Sequence, residues 1–399
     1  MDKKDLKVTV FLAYKNIVKS KSTFFVIVAV MAMSFLSITF FAAIIDGLGY
    51  QFEEGMIEGL TGHLMIEPAS DSLYLQNTDK MVEKIRRIPG VVGVAPRLES
   101  SAVAKYKNTE LGVPIFFVKP EDELRVSDYA DSMVLGSFLS KRDTDELIVG
   151  VNLIESYAEK DDTQKRLDVN VGDTITLSFS NGYVKDYKIK GIFKTGSRFS
   201  DDKILINYDN YKIIFGKSDI ANKIIIKLPE RGQEEYYKTK LLDLGVSNEI
   251  NLWQTKMGAV KQFVGSLQIT NKITGFIGLL TAFATIYIII FINVTNKRKQ
   301  IGILKAIGIK KEIILGSYVI QSFIYGIVGV IIGNIVMQGL LALLTVHPLA
   351  MPIGDVVPIL TGDRLIITSI TLIMASIVAG YFPSRKAAND NILDAIFGG

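Results

Sequence analysis

Four apolar blocks give this chain its rhythm. Residues 24–45, 273–292, 313–340 and 365–382 contain no Asp, Glu, Lys or Arg. Runs of about 20 such residues are long enough to cross the ~30 Å hydrocarbon core as helices. The pattern therefore predicts a membrane α-helical protein with four transmembrane helices. A large polar stretch between the first and second blocks would form an extracytoplasmic α+β domain. The expected organisation is an interfacial helix over 1–23 and spans at 24–45, 273–295, 313–344 and 365–383. The outer domain would occupy 46–272, the middle loop 296–312, a short outer loop 345–364 and a tail 384–399.

Helical spacing extends past the first block. Leu48, Phe52, Met56 and Leu60 recur every fourth residue opposite Glu53, Glu54 and Glu58, predicting an amphipathic continuation of the span as a stalk. Trp253, Met257, Val260, Phe263 and Leu267 predict a second stalk leading back to the membrane. Between them, strands are expected at 63–67, 91–94, 102–106, 113–118, 203–207 and 223–228. Residues 146–151 read as a strand leading into a helix through Ile154 and Tyr157. A helix capped by Asn77 or Thr78 would bury Met81, Val82, Ile85 and Ile88 and stop at Pro89-Gly90. Further helices are expected near 208–215 and 234–244. Asn181-Gly182, between strands 174–180 and 183–193, signals a two-residue hairpin. The charged tract 159–166 reads as solvated surface, and a second subdomain is expected near 120–220.

Charge then sets orientation. Lys and Arg occur in the N-terminal segment, the middle loop and the tail, and are absent from 345–362. The positive-inside rule puts those three segments in the cytoplasm and the large domain outside. In the N-terminal segment, Leu6, Val10, Ala13, Ile17 and Val18 would line a helix lying in the membrane interface, with Lys7, Lys15, Lys19 and Lys21 reaching headgroups or water. The first block is too long for a typical signal-peptide core and lacks a small-residue cleavage site, so an uncleaved anchor is expected. In the middle loop, Ile301, Leu304 and Ile307 fall at helical spacing, while Lys297, Arg298, Lys299 and Lys305 supply a wet face. Gly308 would stop that helix, and Lys310 or Lys311 would begin the next.

Composition narrows the chemistry. Of 399 residues, 49% are hydrophobic and the formal net charge is +4, with no basic-aromatic cluster of the kind nucleic acid requires. Cysteine is absent, which removes disulfide and thiol chemistry. His63 and His347 are the only histidines and lie far apart, so His63 reads as a structural strand-edge residue with no metal expected. No H-E-x-x-H or G-x-S-x-G occurs, so no catalytic residues are expected. No G-x-x-x-x-G-K-[ST] occurs either, so the chain lacks that device for cradling ATP phosphates. Spans without an ionisable group argue against a proton- or ion-driven carrier. Gly329 and Gly333 form a G-x-x-x-G that permits close helix contact.

The motifs carry a resemblance. Residues 301–308, Ile301-Gly302-Ile303-Leu304-Lys305-Ala306-Ile307-Gly308, match the pattern E-I-G-I-L-[KR]-A-[IL]-G, with Gln300 where an acid is usual. Leu12, Ala13, Lys15, Asn16 and Ile17 match L-A-x-[RK]-N-[IL]. Asp46-Gly47-Leu48 and the run 61–66 resemble the words flanking the first stalk. Gly172, Asp173, Ile175, Leu177, Ile189, Gly191, Ile192 and Phe193 match G-D-x-[IV]-x-L … [IV]-x-G-[IV]-[FY]. Gly380, Pro383, Ser384, Lys386 and Ala387 resemble the family's exit, followed by 391–396 with Ile392 where proline is usual. In this order the motifs resemble FtsX-like permeases, the group that includes MacB-type exporters and lipoprotein-releasing permeases.

That resemblance implies a permease subunit without its own ATPase site. A separate cytoplasmic ABC ATPase would bind ATP and Mg, and a second permease chain, identical or paralogous, would complete a dimer. Arg298, Gln300, Ile301, Gly302, Leu304, Lys305, Ala306 and Gly308 become the candidate ATPase-coupling residues. Phe40, Phe41, Ile44, Leu48 and Phe52 become a candidate vestibule for acyl chains or an apolar peptide, with core packing as the competing role. Membrane lipids and an extracytoplasmic lipoprotein or peptide are the other expected partners. The alternatives are a regulator transmitting force to an extracytoplasmic hydrolase, and a membrane-anchored scaffold without transport.

Overall fold

A computed structural model describes residues 3–69, 72–158, 164–351 and 354–389. The chain opens with α1 (Lys3–Lys19) and α2 (Lys21–Gly55), and α2 ends in a π-helical turn over Met56–Thr61. There follow β1 (Leu64–Glu67), β2 (Leu75–Gln76), α3 (Thr78–Arg86), β3 (Gly93–Tyr106), β4 (Thr109–Val118), α4 (Pro120–Glu123), β5 (Met133–Gly136) and β6 (Glu146–Gly150). Next come β7 (Thr174–Phe179), β8 (Val184–Phe193), α5 (Arg198–Asp201), β9 (Ile204–Asn207), α6 (Asp209–Phe215), β10 (Ile220–Ala221), β11 (Lys223–Lys227), α7 (Glu234–Asp243), β12 (Glu249–Leu252) and α8 (Trp253–Lys256). The chain returns through α9 (Gly258–Asn296), α10 (Arg298–Ala306), α11 (Lys311–Val346), the strands β13 (Leu349–Met351) and β14 (Gly354–Val356), and α12 (Gly362–Asn389). Parts of the tract 159–166 and the motif at 391–396 lie outside the described residues.

The chain forms two compact units. One comprises Met1–Leu48, Phe263–Leu349 and Val356–Gly399. Among the described residues, four helices, α2, α9, α11 and α12, are long and apolar enough to cross a membrane. Ile27, Met31 and Phe35 of α2 share a core with Ala282, Ile286 and Ile290 of α9 and Tyr325 of α11. Gly329 and Gly333 bring α11 against Met31 and Phe35, so the G-x-x-x-G has an intramolecular use. Hydroxyls in these helices bond inward: Thr39, Thr281, Thr285 and Thr371 each donate to the carbonyl four residues back, at 2.7–2.9 Å. That local bond satisfies a donor which hydrocarbon cannot. Arg364 makes a two-pronged pair with Asp46, at 2.6 and 2.9 Å, tying the start of α12 to α2.

The second unit, Gly49–Gln262 with Ala350–Asp355, is built on a ten-stranded sheet. Six strands close on themselves in the order β3, β4, β9, β6, β8 and β7, because β7 pairs with both β8 and β3. Closure removes free edges. Leu98, Ile115, Phe117, Val149, Leu177, Ile189 and Ile206 fill this barrel. Beyond it, β11, β1 and β12 extend from β3. They share a second core with α3 and α7, made by Leu64, Val82, Ile85, Ile226, Tyr237 and Leu241. The second subdomain is therefore a barrel beginning at β3, upstream of the expected residue 120.

Other local expectations are revised by the same geometry. The strand expected at 91–94 starts only at Gly93 and runs without a break into the one expected at 102–106, as a single fourteen-residue strand, β3. After β6 the chain makes two 3₁₀ turns, Val151–Leu153 and Glu155–Tyr157, where a helix through Ile154 was expected. The Asn181-Gly182 hairpin has a three-residue loop: Phe179 N–H donates to Tyr183 O and Gly182 N–H to Phe179 O. That geometry is a type I turn closed by a glycine bulge. Asn77 precedes α3 in a left-handed conformation and makes no cap through its side chain. Asp219 caps instead, accepting from Asp79 N–H at 2.8 Å and from the Thr78 hydroxyl at 3.0 Å.

Candidate functional site

The nine-residue helix α10 is held on one side and open on the other. Ile301 is 3% exposed and Gly302 is buried, while Leu304 and Ile309 pack beside Ile314 and Tyr318 of α11 and Ile17 of α1. The helix ends in a Schellman motif. Gly308 N–H donates to Lys305 O at 3.0 Å, and Ile309 N–H to Leu304 O at 3.0 Å. Gly308 sits at φ +93, where a side chain is strained, and Leu304 and Ile309 supply the apolar contact that accompanies this cap. α11 then starts at Lys311 behind Lys310.

Three lysines fix the helix in place. Lys297 Nζ donates to Asn16 Oδ1 of α1 at 3.1 Å, Lys310 Nζ pairs with Asp5 of α1 at 3.0 Å, and Lys305 Nζ donates to Ala388 O of α12 at 2.9 Å. The exposed side of α10 carries Gln300, Ile303, Ala306 and Ile307, with Ile303 48% and Ile307 71% exposed. Of the candidate coupling residues, Gln300, Ala306 and Gly308 lie on the open side, Ile301 and Gly302 are internal, and Leu304 and Lys305 bridge to neighbouring helices. Arg298 is half-buried at the helix start. Ile303 and Ile307 lie outside that set, although their spacing from Gln300 marks one helical face.

The candidate vestibule residues are dispersed. Phe41 is exposed, Phe40 and Ile44 are half-buried, and Leu48 and Phe52 are buried. Phe52 packs on Phe199, with ring centres 5.7 Å apart. Packing on Phe199 accounts for the burial of Phe52 directly.

A joint that the sequence reading missed lies in the second unit, where the helix begun by α2 ends. Arg97 of β3 is fully buried, donates to Gly59 O at 2.8 Å, pairs with buried Glu123 of α4, and lies 4.8 Å from the Phe116 ring centre. Tyr129 also donates to Gly59 O, at 3.0 Å. Burial opposes the Arg97 charge, yet Glu123, Tyr129 and Glu99 hold its pKa above the ordinary value. Burial likewise drives the Tyr129 hydroxyl upward, keeping it a donor. Gly55 and Gly59, four apart, abut Ser197 and Ser200 so closely that a Cβ at either would overlap a serine side chain. Gln51 donates to Gly196 O at 2.8 Å. The acidic face foreseen at Glu53, Glu54 and Glu58 is paired, with Arg231 reaching Glu53 and Glu54 and Lys227 reaching Glu58. The only sequence hint was one arginine among Val94, Ala95 and Leu98.

Nearby, His63 is buried and its Nδ1 accepts from Leu228 N–H at 3.2 Å. Burial pushes its pKa down to about 4. Asp128 is pushed up to about 6, first by burial and then by Glu58. A domain cleft of about 430 Å³ is lined by Asp79, Arg86, Lys119, Asp122 and Lys141, among others. Arg86 pairs there with Asp122, and Lys119 with Asp79. Small-molecule sites are mostly apolar, which this cleft is not.

Four helices long and apolar enough to span a membrane, a large domain inserted after the first and a short basic helix between the second and third give the chain the layout of a membrane protein. Residues 24–242 match the MacB-like periplasmic core domain family and residues 272–392 the FtsX-like permease C-terminal family. The chain belongs to this family of ABC transporter permeases. It is 23% identical over 333 residues to an uncharacterised ABC transporter permease of Methanocaldococcus jannaschii, covering 80% of this chain and 79% of the relative. It is 21% identical over 379 residues to the lipoprotein-releasing system transmembrane protein LolC of Neisseria meningitidis, covering 86% and 88%. Among solved structures, the periplasmic region of MacB from Actinobacillus actinomycetemcomitans superposes with a TM-score of 0.36 at 12% identity, covering 53% of this chain and 98% of that one.

Proposed function

We propose that this permease works by mechanotransmission. A separate cytoplasmic ATPase, holding ATP and Mg, docks on the open side of α10, and its closure moves α2 and α9, whose extensions lead into the outer domain. Work is then done on an extracytoplasmic substrate. The substrate class is a lipoprotein released from the membrane, or an apolar molecule or peptide expelled from it. A second permease chain, identical or paralogous, completes the assembly, with both termini cytoplasmic and the large domain outside, as the lysine distribution indicates.

The observation that carries this reading is the two-sided character of α10. A basic loop with no docking role has no need of an apolar outward face. Here Ile303 and Ile307 are exposed while Ile301 anchors the same helix internally. Lys297, Lys305 and Lys310 tie it to α1 and α12, so a push on α10 is not absorbed by a slack loop.

The test is to express the chain with the ATPase it co-purifies with and compare I303D/I307D with wild type. The expected result is loss of stimulated ATP hydrolysis and of ATPase co-purification, with unchanged thermal stability, since both side chains are exposed. Retained stimulation in a folded double variant would overturn the docking role.

A further inference from the structure

The helix α1 has two faces of different character. Thr9 and Ala13 are buried and Asn16 is half-buried, on the side that meets α11 and the α10 loop. On the opposite side Phe11 is 60% and Tyr14 65% exposed, with Val10 and Val18 also open. Lys7, Lys15 and Lys19 are exposed, and Lys15 Nζ stands 5.8 Å from the Phe11 ring centre. Asp5, the only acid in α1, is already paired with Lys310. The open face is therefore aromatic and cationic without an anion of its own. Aromatic rings flanked by lysines suit the boundary between acyl chains and headgroups, where the stems lie on apolar surface and the ammonium groups reach outward.

A second observation points the same way. Lys297 is half-buried, and burial together with the charge of Lys19 pushes its pKa down. Two cations crowd this end of the unit, and a negatively charged group beside them would relieve the repulsion.

We propose that the open face of α1 docks on anionic lipid headgroups. The proposal rests on the helices being in a membrane and not on the ATPase reading. Phe11, Tyr14 and Val18 sink to the acyl boundary, and Lys7, Lys15 and Lys19 collect phosphate groups. Because Asp5 and Asn16 of the same helix hold Lys310 and Lys297, the helix that feels leaflet charge also braces α10.

The experiment uses the full chain reconstituted in vesicles, with Phe11→Trp, and separately Tyr14→Trp, as the reporter, after subtraction of the Trp253 signal. Quenching by brominated phosphatidylglycerol is compared with quenching by brominated phosphatidylcholine in mixed vesicles. The expected result is severalfold stronger quenching by the anionic lipid, of the order of the roughly fivefold preference that one engaged lysine confers. In K7Q/K15Q/K19Q the ratio should fall to near one while quenching persists. Equal quenching by both lipids in the parent reporter would overturn charge selection. Absence of quenching by either lipid, at both reporter positions, would show the face covered by protein and overturn lipid docking altogether.

Discussion

Arg97 and Glu123 are both buried, and their charges are tolerable only together. Removing one partner of such a pair typically costs about 3–5 kcal/mol, because the other charge is left stranded, whereas replacing both with apolar groups costs far less. Glu123→Gln should therefore lower thermal stability sharply, and R97M/E123L should recover much of it; a double variant no better than the single one would refute this. Two titrating groups nearby pull in opposite directions. The folded-state pKa of His63, about 4, lies below its unfolded value, so its contribution falls as pH drops from about 6.5 toward 4. The folded-state pKa of Asp128, about 6, lies above its unfolded value, so its contribution is present at low pH and is lost as pH rises from about 4 to 6. Asp128→Asn should make stability fall more steeply on acidification, and His63→Gln should make it fall less, as melting temperatures across pH 4–7 would show. None of this was visible in the sequence. A buried ion pair or a shifted carboxyl depends on which residues the fold gathers, and Arg97, Glu123 and Asp128 come from separate elements.

Elements were more legible, and the misses share a cause. Strands and helices announced by periodicity are present near their expected positions, including α3, α6, α7, β8 and β11. Their ends depended on partners distant in the chain: Asp219 caps α3, and the barrel pairing of β3 erased a break expected between 94 and 102. The π-helical turn at Met56–Thr61 had no signature beyond Gly55 and Gly59, whose use is close approach to Ser197 and Ser200. Gly59→Ala should destabilise the domain in thermal melts, and adding Ser200→Gly should rescue it, because the overlap is with that serine; failure of rescue would place the strain elsewhere. At the other end, Gly308→Ala should loosen the end of α10 by about 1 kcal/mol. Faster amide exchange at Gly308 and Ile309, whose N–H groups close the Schellman motif, would report it.

At the scale of the molecule, uncharged blocks and lysine placement were sufficient to foresee four membrane helices and an inserted α+β domain, because hydrocarbon excludes charge regardless of tertiary detail. The same logic did not extend to the domain interior, where a closed barrel and an open sheet look alike residue by residue. Nor did it separate the packed side of α10 from its open side, since Ile301, Ile303 and Ile307 are chemically identical and only the position of α11 distinguishes them.

The fourteen-residue strand β3 contributes to both hydrophobic cores, Val94 to one and Leu98, Ala102 and Ala104 to the other. A single backbone shared in this way leaves neither half an independent melting unit. Heating should dissolve the barrel and the outer layer in one step, with no intermediate in which one survives alone, and a domain that yields only as a whole can carry a load from end to end without giving way in the middle.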